Sequence, residues 1–567
     1  MARVLTPAGS HSRWLPVVYL VPVAVLALAP TLRLLLEAFG DLQQGGDSPL
    51  WRMLTAAATW RALWHSVYTA GAGTVISLLL GGLFAVSITL TDVRAKGAFV
   101  FAFMLPMMIP PQVTALSWLQ LFGPASPVLN TLGLAPPLGS PQPLYSANGI
   151  ALLLGIQHAP LVFLALRTSL LNLPGDLIAA ARISGACQRA VWRDVILPLS
   201  RNGLVAGGAM AFVSALGNFG IPAMLGIPAS YYVLPTLIYQ RMAGFGNQML
   251  SEVAALSLLI AVLAVAGVLV QQSLTAGSAS TLAGSGGRPQ RFRLAGARPW
   301  VEALLAAVLA LILVAPLAAL VVGSLVPALG VPLSGDTATL GAYREMLDRQ
   351  GVTARAFSNS LLLAGGAAVV LMSGCLPLAY RLRRCPATVR AVVTSVLELP
   401  YALPGVVLAI ACILLFARPM PVVEVSLYGT LALIFVAYLA RFLTVALKPV
   451  TSGLAELDGS LEEAARLAGA GPLRRLLDIV LPLVAPAVFA GGLLVFLIAV
   501  NELTVSALLW SAGNETLGVL IFNLDEGGDS VLASAVAVLV VAMVAVMMLA
   551  LSLLAPRLPK GVIPWQT

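Results

Sequence analysis

Apolar stretches of about twenty residues follow one another along almost the whole chain, separated by short polar segments. A stretch of this length, wound as an α-helix, crosses a hydrocarbon core about 30 Å thick. The pattern therefore predicts an all-α integral membrane protein with about twelve transmembrane helices. The expected spans are residues 15–39, 64–90, 98–122, 148–168, 203–227 and 252–274, followed by 299–325, 357–380, 391–416, 426–447, 485–511 and 530–555.

The charges in the polar segments alternate in a way that orients these helices. Arginine and lysine cluster in residues 91–97, 169–202, 276–298, 381–390 and 448–484. By contrast, residues 123–148 carry no charge, and residues 512–529 carry acidic groups without a base. Basic loops stay on the cytoplasmic side, so both chain termini are expected in the cytoplasm. The apolar stretch after Arg13 continues to about Phe39, so a retained first helix is expected rather than a cleaved signal segment.

The composition agrees with a membrane environment and excludes other classes. Of the 567 residues, 59% are hydrophobic and 10% are charged, whereas a soluble domain carries about 25% charged residues. The net charge of +9 comes from the loops between spans. Because it forms no basic domain, the sequence predicts no nucleic-acid binding. The four cysteines show no C-x-x-C spacing and are expected to act as small apolar residues.

The sequence contains an internal repeat. DLIAAARISGACQRAVWRDVILPL (176–199) and SLEEAARLAGAGPLRRLLDIVLPL (460–483), here called the first and second repeat segments, align without a gap at an offset of 284 residues. Upstream, LPMMIPP matches LPYALPG at an offset of 294, with prolines at the same places. An even number of spans precedes the second copy, which predicts two homologous six-helix halves in parallel orientation. The expected division is a first transmembrane domain at 1–275, a cytoplasmic linker rich in Gly, Ser and Arg at 276–298, and a second transmembrane domain at 299–567.

Each repeat segment predicts a helix, a glycine and a second helix in a cytoplasmic loop. Residues 177–184 and 461–468 are rich in alanine, a strong helix former. Gly185 and Gly469 follow, and glycine suits the left-handed conformation that ends a helix. An exposed projection of this kind indicates either a docking site for a partner protein or a helix lying on lipid headgroups. Two matching copies favour the partner.

The second repeat segment resembles the EAA loop of binding-protein-dependent ABC importer permeases, whose pattern is E-A-A, three residues, G, nine residues, I-x-L-P. The matching residues are Glu463, Ala464, Ala465, Gly469, Ile479, Leu481 and Pro482. The first repeat segment keeps Ala180, Ala181, Gly185, Leu197 and Pro198, and Arg182 recurs as Arg466. It departs from the pattern at Ala179, where the glutamate belongs, and at Val195, where the isoleucine belongs.

In that family the loop is a coupling helix. The resemblance implies that residues 177–189 and 461–473 each dock one of two copies of a cytoplasmic ABC ATPase. It also implies a periplasmic solute-binding protein and a place in the bacterial inner membrane. The alanine at position 179 makes the two docking contacts unequal.

The sequence has no G-x-x-x-x-G-K-[ST] phosphate loop, no catalytic constellation and no metal-ligand set. ATP and Mg²⁺ are therefore expected on the partner ATPase. This chain is expected to hold no cofactor and not to be an enzyme.

The cargo is indicated only by similarity. Residues 220–240 and 501–510 look most like the ferric-iron branch of fused permeases, so ferric iron is the expected cargo. Thiamine or an aminophosphonate remains an alternative within the same importer class. A twelve-helix secondary transporter would share the number of spans and the parallel repeat, but it would not explain two EAA loops.

Polar groups at membrane depth are costly and therefore mark candidates for the translocation path. Asn501 and Glu502 lie in the eleventh expected span, and Asn218 stands at the place that matches Glu502. Nearby glycines together with Pro222 predict a broken helix facing the interior of the bundle. The alternative is that these polar groups only form hydrogen bonds between packed helices.

Other polar residues are weaker candidates. His158 either lines the path or is a packing histidine, and Glu398 and Arg441 either line the path or lie near helix ends. The acidic loop with Asp525, Glu526 and Asp529 either attracts a cation or a binding protein, or is a solvated turn.

Overall fold

The computed structural model describes residues 27–40, 48–137, 139–244, 248–275, 292–349, 351–417, 419, 424 and 426–554. The expected first span is described from residue 27 onward. Its beginning, residues 276–291 of the linker and the C-terminal residues from 555 lie outside the described residues.

The described residues of the first half form thirteen helices. They are α1 (27–40), α2 (Pro49–Thr55), α3 (Ala57–Leu90), α4 (Lys96–Met108), α5 (Pro111–Leu121), α6 (Pro127–Thr131), α7 (Ala147–Leu171), α8 (Gly175–Ile183), α9 (Gln188–Val191), α10 (Leu197–Leu216), α11 (Gly220–Gly226), α12 (Leu234–Met242) and α13 (Met249–Thr275).

The second half repeats this order. Its helices are α14 (Arg298–Leu309), α15 (Ala315–Ser324), α16 (Gly341–Arg344), α17 (Gly351–Leu382), α18 (Ala387–Ala402), α19 (Gly405–Phe416), α20 (Leu431–Glu456), α21 (Gly459–Leu467), α22 (Pro472–Arg475), α23 (Leu481–Val500), α24 (Ser506–Leu509), α25 (Leu517–Glu526) and α26 (Ser530–Leu554). In the described part of the chain, 9 helices are long and apolar enough to cross a membrane, or up to 11 if two bent pairs count as one span each. The expected all-α membrane fold is confirmed.

The repeat is visible in the packing. Helices α3, α7 and α10 form the core of the first half, and α17, α20 and α23 form the core of the second. Small residues allow close approach: a Cβ at Gly81 would lie 2.6 Å from the carbonyl oxygen of Ala159. Helices near the start of each half pack against the other half. Helix α15 of the second half packs on α5 of the first. Conversely, the Arg33 Nε of α1 donates to the Leu414 carbonyl of α19 at 3.4 Å.

The expected spans 98–122 and 391–416 are not straight helices. Helices α4 and α5 meet at 101°, and α18 and α19 meet at 102°. The bends lie at Ile109 and Leu403, both in extended conformation and both followed by a proline. Proline disfavours the helical conformation of the residue before it. Pro110 and Pro404 therefore bend the two spans at equivalent positions.

The expected spans 203–227 and 485–511 are interrupted instead. Helix α10 ends at Leu216 and the short α11 begins at Gly220; α23 ends at Val500 and the short α24 begins at Ser506. The predicted helix break beside Asn218 is therefore confirmed, and it recurs in the second half.

At their other ends, α10 and α23 continue into the repeat segments through π turns at Trp192–Ile196 and Leu476–Val480. Pro198 and Pro482 stand just after these turns. A proline ring clashes with the carbonyl four residues earlier, and a wider turn relieves that clash. The result is one helix over Gln188–Leu216 and another over Pro472–Val500, each of 29 residues.

Candidate functional site

The two repeat segments have the same backbone fold. Helices α8 and α21 are each followed, two residues after their last residue, by Gly185 and Gly469, whose φ values are 82° and 83°. In the first segment, the N–H groups of Gly185 and Ala186 donate to the carbonyls of Arg182 and Ala181, each at 3.0 Å. This is a Schellman motif, which satisfies carbonyls left open at a helix end. The second segment repeats it, with Gly469 donating to Arg466 at 3.1 Å and Ala470 to Ala465 at 2.9 Å.

Equivalent residues of the two segments also share their exposure. Ala180, Arg182 and Gly185 are exposed, as are Ala464, Arg466 and Gly469; Ala181 and Ala465 are half-buried, and Glu463, Pro198 and Pro482 are exposed. The most exposed apolar residues were not singled out from the sequence. Ile183 is 88% exposed and Leu467 is 90% exposed, at equivalent positions in the last turn of α8 and α21. The available signal was an apolar residue two positions before the terminating glycine.

The attachments of the two segments differ. In the second, the Glu462 carboxylate accepts hydrogen bonds from Arg384 Nη2 at 2.9 Å and from the Tyr380 hydroxyl at 3.2 Å, and it lies 3.7 Å from Arg383 Nη1. These four residues are here called the Glu462 clasp. The equivalent residue of the first segment is Ile178, which is buried in the apolar core. The first segment is thus held by apolar packing where the second is held by ion pairs.

A cavity of about 580 Å³ lies between the halves. Its wall includes three of the four residues proposed from the sequence for the path, namely Asn218, Asn501 and Glu502. Pro222 is buried within α11 and is not on this wall. The bend residues Leu403 and Pro404 also line the cavity, so the bend of α18 and α19 and both helix breaks meet at one place.

Asn218 and Glu502 stand just before the short helices that follow the breaks, and each accepts a hydrogen bond from the backbone N–H three residues later, an interaction here called a cap. The Asn218 side-chain oxygen accepts from the Ile221 N–H at 3.1 Å, and Glu502 Oε1 accepts from the Val505 N–H at 2.8 Å. An oxygen at this position satisfies one of the free N–H groups of a helix start. The two residues therefore have the same local role, although only Glu502 carries a charge.

The charge of Glu502 is paired with Arg441 of α20. Arg441 Nε lies 3.7 Å from Glu502 Oε2, while Arg441 Nη1 is buried without a hydrogen-bond partner among the described residues. At the repeat offset of 284, the equivalent of Arg441 is Gln157 of α7. Gln157 is neutral, accepts from Thr114 at 2.9 Å and donates to the Ile109 carbonyl at 3.0 Å. The correspondence of Gln157 with Arg441 was missed from the sequence, and extending the repeat alignment upstream would have shown it.

Asn501 joins the two halves. Its Nδ2 donates to the Met108 carbonyl of α4 at 2.6 Å and to the Leu497 carbonyl at 2.9 Å, while its Oδ1 is buried without a partner among the described residues. His158 also lines the cavity, and its Nδ1 lies 2.8 Å from the Leu154 carbonyl of its own helix. The amide of Asn501 is thus the direct polar link between the second helix break and the first bend.

Aromatic rings pack between the halves directly after Asn218. The Phe219 ring lies 5.2 Å from Tyr239 and 5.8 Å from Phe522, and Tyr239 lies 5.9 Å from Phe522. Asp525 and Glu526 follow Phe522 at the end of α25. Burial raises the pKa of the Asp525 carboxyl above its ordinary value despite a hydrogen bond from Ser530; burial and the neighbouring Asp525 raise the pKa of Glu526. Asp525 is half-buried and Glu526 is exposed.

The chain is similar to known transport proteins in both halves. A family model described as "Binding-protein-dependent transport system inner membrane component" matches residues 73–276 and 371–563. Each match contains one repeat segment and one helix break.

Two relatives are similar over almost the whole chain. A probable ABC transporter permease protein, y4fN, of Sinorhizobium fredii is 27% identical over 518 residues, covering 89% of this chain and 88% of its own. The ferric transport system permease protein FbpB of Actinobacillus pleuropneumoniae is 26% identical over 522 residues, covering 90% of this chain and 74% of its own length.

A third relative matches a smaller part of the chain. A molybdenum transport system permease protein, ModB of Mycobacterium tuberculosis, is 31% identical over 174 residues, which cover 30% of this chain and 63% of its own length.

Proposed function

This chain belongs to the family of binding-protein-dependent transport system inner membrane components, and we propose that its cargo is ferric iron. Membership of the family makes it a multi-pass inner-membrane ABC importer permease. The family implies an ABC ATPase and a periplasmic binding protein as partners. Hydrolysis of ATP, with its Mg²⁺, belongs in this proposal to the partner ATPase, and the permease needs no cofactor of its own.

The observation that carries the cargo proposal is the similarity to a ferric transport permease across both halves. The molybdenum permease matches only 30% of the chain. The acidic pair Asp525 and Glu526 adds support. Carboxylates at the C-terminal end of a helix face an unfavourable helix dipole, so Asp525 and Glu526 are not there to stabilise α25. Carboxylate oxygens suit a hard cation, and in this proposal the two residues attract the ferric ion.

For coupling, we propose that one ATPase docks on each repeat segment, giving two copies per chain. The exposed side chains of Ile183 and Leu467 support this, since an unpartnered apolar tip at a membrane surface marks a site of protein association. In this arrangement the repeat segments and both termini face the cytoplasm. Closure of the ATPase pair rocks the two halves about the central cavity, a rigid-body transition of the kind used in alternating access.

For passage, we propose that the cavity between the halves is the path and that Asn218, Asn501 and Glu502 line it. The support is their common position on the cavity wall. Cargo would be released by the binding protein on the side of Asp525 and would move past the aromatic rings when the halves separate.

Co-purification tests the proposal directly. The chain would be extracted from its native membrane in mild detergent, and its partners would be identified and counted by mass spectrometry. We expect two copies of an ABC ATPase per chain. The co-purifying or genetically adjacent binding protein would then be tested against Fe³⁺, molybdate, thiamine and an aminophosphonate by thermal shift.

Selective stabilisation of the binding protein by Fe³⁺ supports the cargo proposal, whereas selective stabilisation by any other solute replaces it while leaving the importer in place. One ATPase copy per chain contradicts the proposed stoichiometry. A chain that purifies alone and transports in proteoliposomes without ATP contradicts the coupling proposal as a whole.

A further inference from the structure

The residue Phe292 lies where the linker meets the second half, and it is built into the first half. Its side chain is 5% exposed, although it stands between polar segments of the sequence. Its backbone N–H donates to the Leu90 carbonyl at the end of α3, at 2.7 Å. A linker that served only as a tether would need neither this burial nor this hydrogen bond.

The Phe292 ring contacts both arms of the first repeat segment. The Arg182 guanidinium, from the last turn of α8, lies over the ring at 4.7 Å from its centre. The Trp192 ring, from the π turn that leads into α10, stacks on it at 6.0 Å. A cation over an aromatic face is attracted by the ring electrons. One phenylalanine thus joins the helix before Gly185 to the helix after it.

The residues after Phe292 are fixed to the same loop of the first half. Asp92, between α3 and α4, accepts from the Leu294 N–H at 2.9 Å and forms an ion pair with Arg298. The hydrogen bond from Leu294 and the neighbouring Arg298 guanidinium hold the pKa of the Asp92 carboxyl below its usual value. In return, the Arg94 N–H donates to Glu302 Oε1 at 2.8 Å. The start of α14 is therefore fastened to the loop between α3 and α4.

The second half holds its repeat segment in another way. The Glu462 clasp binds α21 to the end of α17, whereas the first half has Ile178 at that position and has no carboxylate to offer there. In the first half, the packing of Ile178 holds α8 within that half, and the polar contact on α8 comes from outside it, through Phe292.

We propose that residues 292–298, here called the strap, position the first repeat segment for its partner, as the Glu462 clasp positions the second. Phe292 is then a positioning residue, and the connection between the halves is a working part of the coupling apparatus. The inference rests on the proposed function only in naming the docked partner as an ATPase.

Spin labelling tests this inference without requiring cargo. Cys187 is native and exposed at the start of α9, and its equivalent in the second half is Gly471, where an added Cβ meets nothing within 4 Å. In a Cys385→Ser background, a nitroxide at Cys187 reports the first repeat segment. In a Cys187→Ser, Cys385→Ser background, a nitroxide at Gly471→Cys reports the second.

We expect Phe292→Ala to shorten the rotational correlation time of the label at position 187 by about twofold, because the first repeat segment loses an attachment and becomes locally mobile. The label at position 471 should be unchanged. Glu462→Gln should instead mobilise the label at position 471 and leave the label at position 187 unchanged. Phe292→Trp, which keeps an aromatic face, should retain the wild-type spectrum at 187. Phe292→Leu keeps apolar volume but has no ring face, and it serves if the alanine variant inserts poorly; it too should mobilise position 187.

The functional readout is uptake per ATP hydrolysed in the assembled complex. Phe292→Ala should lower this ratio, and Phe292→Trp should keep it at the wild-type value. An unchanged spectrum at position 187 in both Phe292→Ala and Phe292→Leu overturns the strap. Equal mobility gains at 187 and 471 also overturn it, because they indicate general loosening. Neither result bears on which solute is carried.

Discussion

The two halves of the permease repeat one backbone but not one set of charges. At several equivalent positions the first half has a neutral residue and the second a charged one, among them Gln157 and Arg441, Asn218 and Glu502, and Ile178 and Glu462. The helix breaks, the bends and the terminating glycines are nevertheless the same. What the backbone requires at a break is an oxygen that accepts an N–H, and either Asn or Glu provides one. The charge of Glu502 is an addition that the fold does not demand.

That addition makes the second half depend on pairing. A charged group at the centre of a membrane helix costs about 2.5–3.5 kcal/mol on insertion scales. Glu502 and Arg441 offset part of this cost for each other across 3.7 Å. The first half bears no such dependence at Asn218.

The largest expected effect is therefore a difference between two cap removals. Glu502→Ala leaves the half-buried Arg441 guanidinium without its partner and should destabilise the protein by about 2 kcal/mol, less than the loss of a fully buried pair. Asn218→Ala removes only a cap, worth about 1 kcal/mol. The thermal unfolding midpoint in detergent measures both, and uptake should fall in Glu502→Ala while the ATPase still co-purifies.

A double variant sharpens this comparison. Glu502→Asn with Arg441→Gln gives the second half the neutral residues of the first, and it should recover most of the stability lost in Glu502→Ala. Equal unfolding midpoints for Glu502→Ala and Asn218→Ala would show that the ion pair contributes nothing beyond the cap.

The next effect should be equal in the two halves. Gly185→Ala and Gly469→Ala each force a side chain into the left-handed region, at a cost of about 1–2 kcal/mol, although no atom lies within 4 Å of either added Cβ. Each variant should distort its repeat segment and reduce ATPase pull-down. Gly471→Ala, at φ −67°, is the matched control and should be neutral. Loss of binding in only one of the two glycine variants would show that the docking contacts differ in strength.

A smaller effect should separate ionic from apolar attachment. The Glu462 clasp is partly exposed, so it contributes about 1 kcal/mol or less and is screened by salt. Raising salt from about 0.05 M to 0.5 M shortens the screening length. This change should increase label mobility at Gly471→Cys more than at Cys187, because the packing of Ile178 in the apolar core does not depend on salt. The opposite ranking would contradict the assignment of ion pairs to the second attachment.

The smallest effect is expected at Ala179. Its equivalent, Glu463, is exposed to solvent, so Ala179→Glu places a carboxylate where the fold tolerates one. Uptake should match that of the wild-type protein. An inactive variant with normal membrane insertion would instead show that the two docking sites must differ.

Local features were predictable from the sequence because local residues cause them. Gly185 and Gly469 were expected to end helices, and they do so with φ values of 82° and 83°. The break beside Asn218 followed from neighbouring glycines and a proline. In the same way, the apolar length of most spans predicted the membrane fold.

Features that depend on direction or on distant contacts were not predictable. Residues 98–122 carry no charge and are mostly apolar, so their hydrophobicity carries no sign of the 101° bend beside Pro110. Pro222 was placed on the path because of its neighbours, but the direction of α11 buries it. The contact of Phe292 with Arg182 joins residues 110 positions apart, and no local pattern indicates such a pair.

In the proposed coupling, the continuous helices over Gln188–Leu216 and Pro472–Val500 would act as levers. Each has 29 residues, which gives a rod about 43 Å long. A tilt of about 10° imposed at the repeat segment would carry the far end through about 7 Å, given that length. Asn218 and Glu502 follow these far ends within two residues, so the proposed coupling would amplify small rotations of the repeat segments where the halves meet.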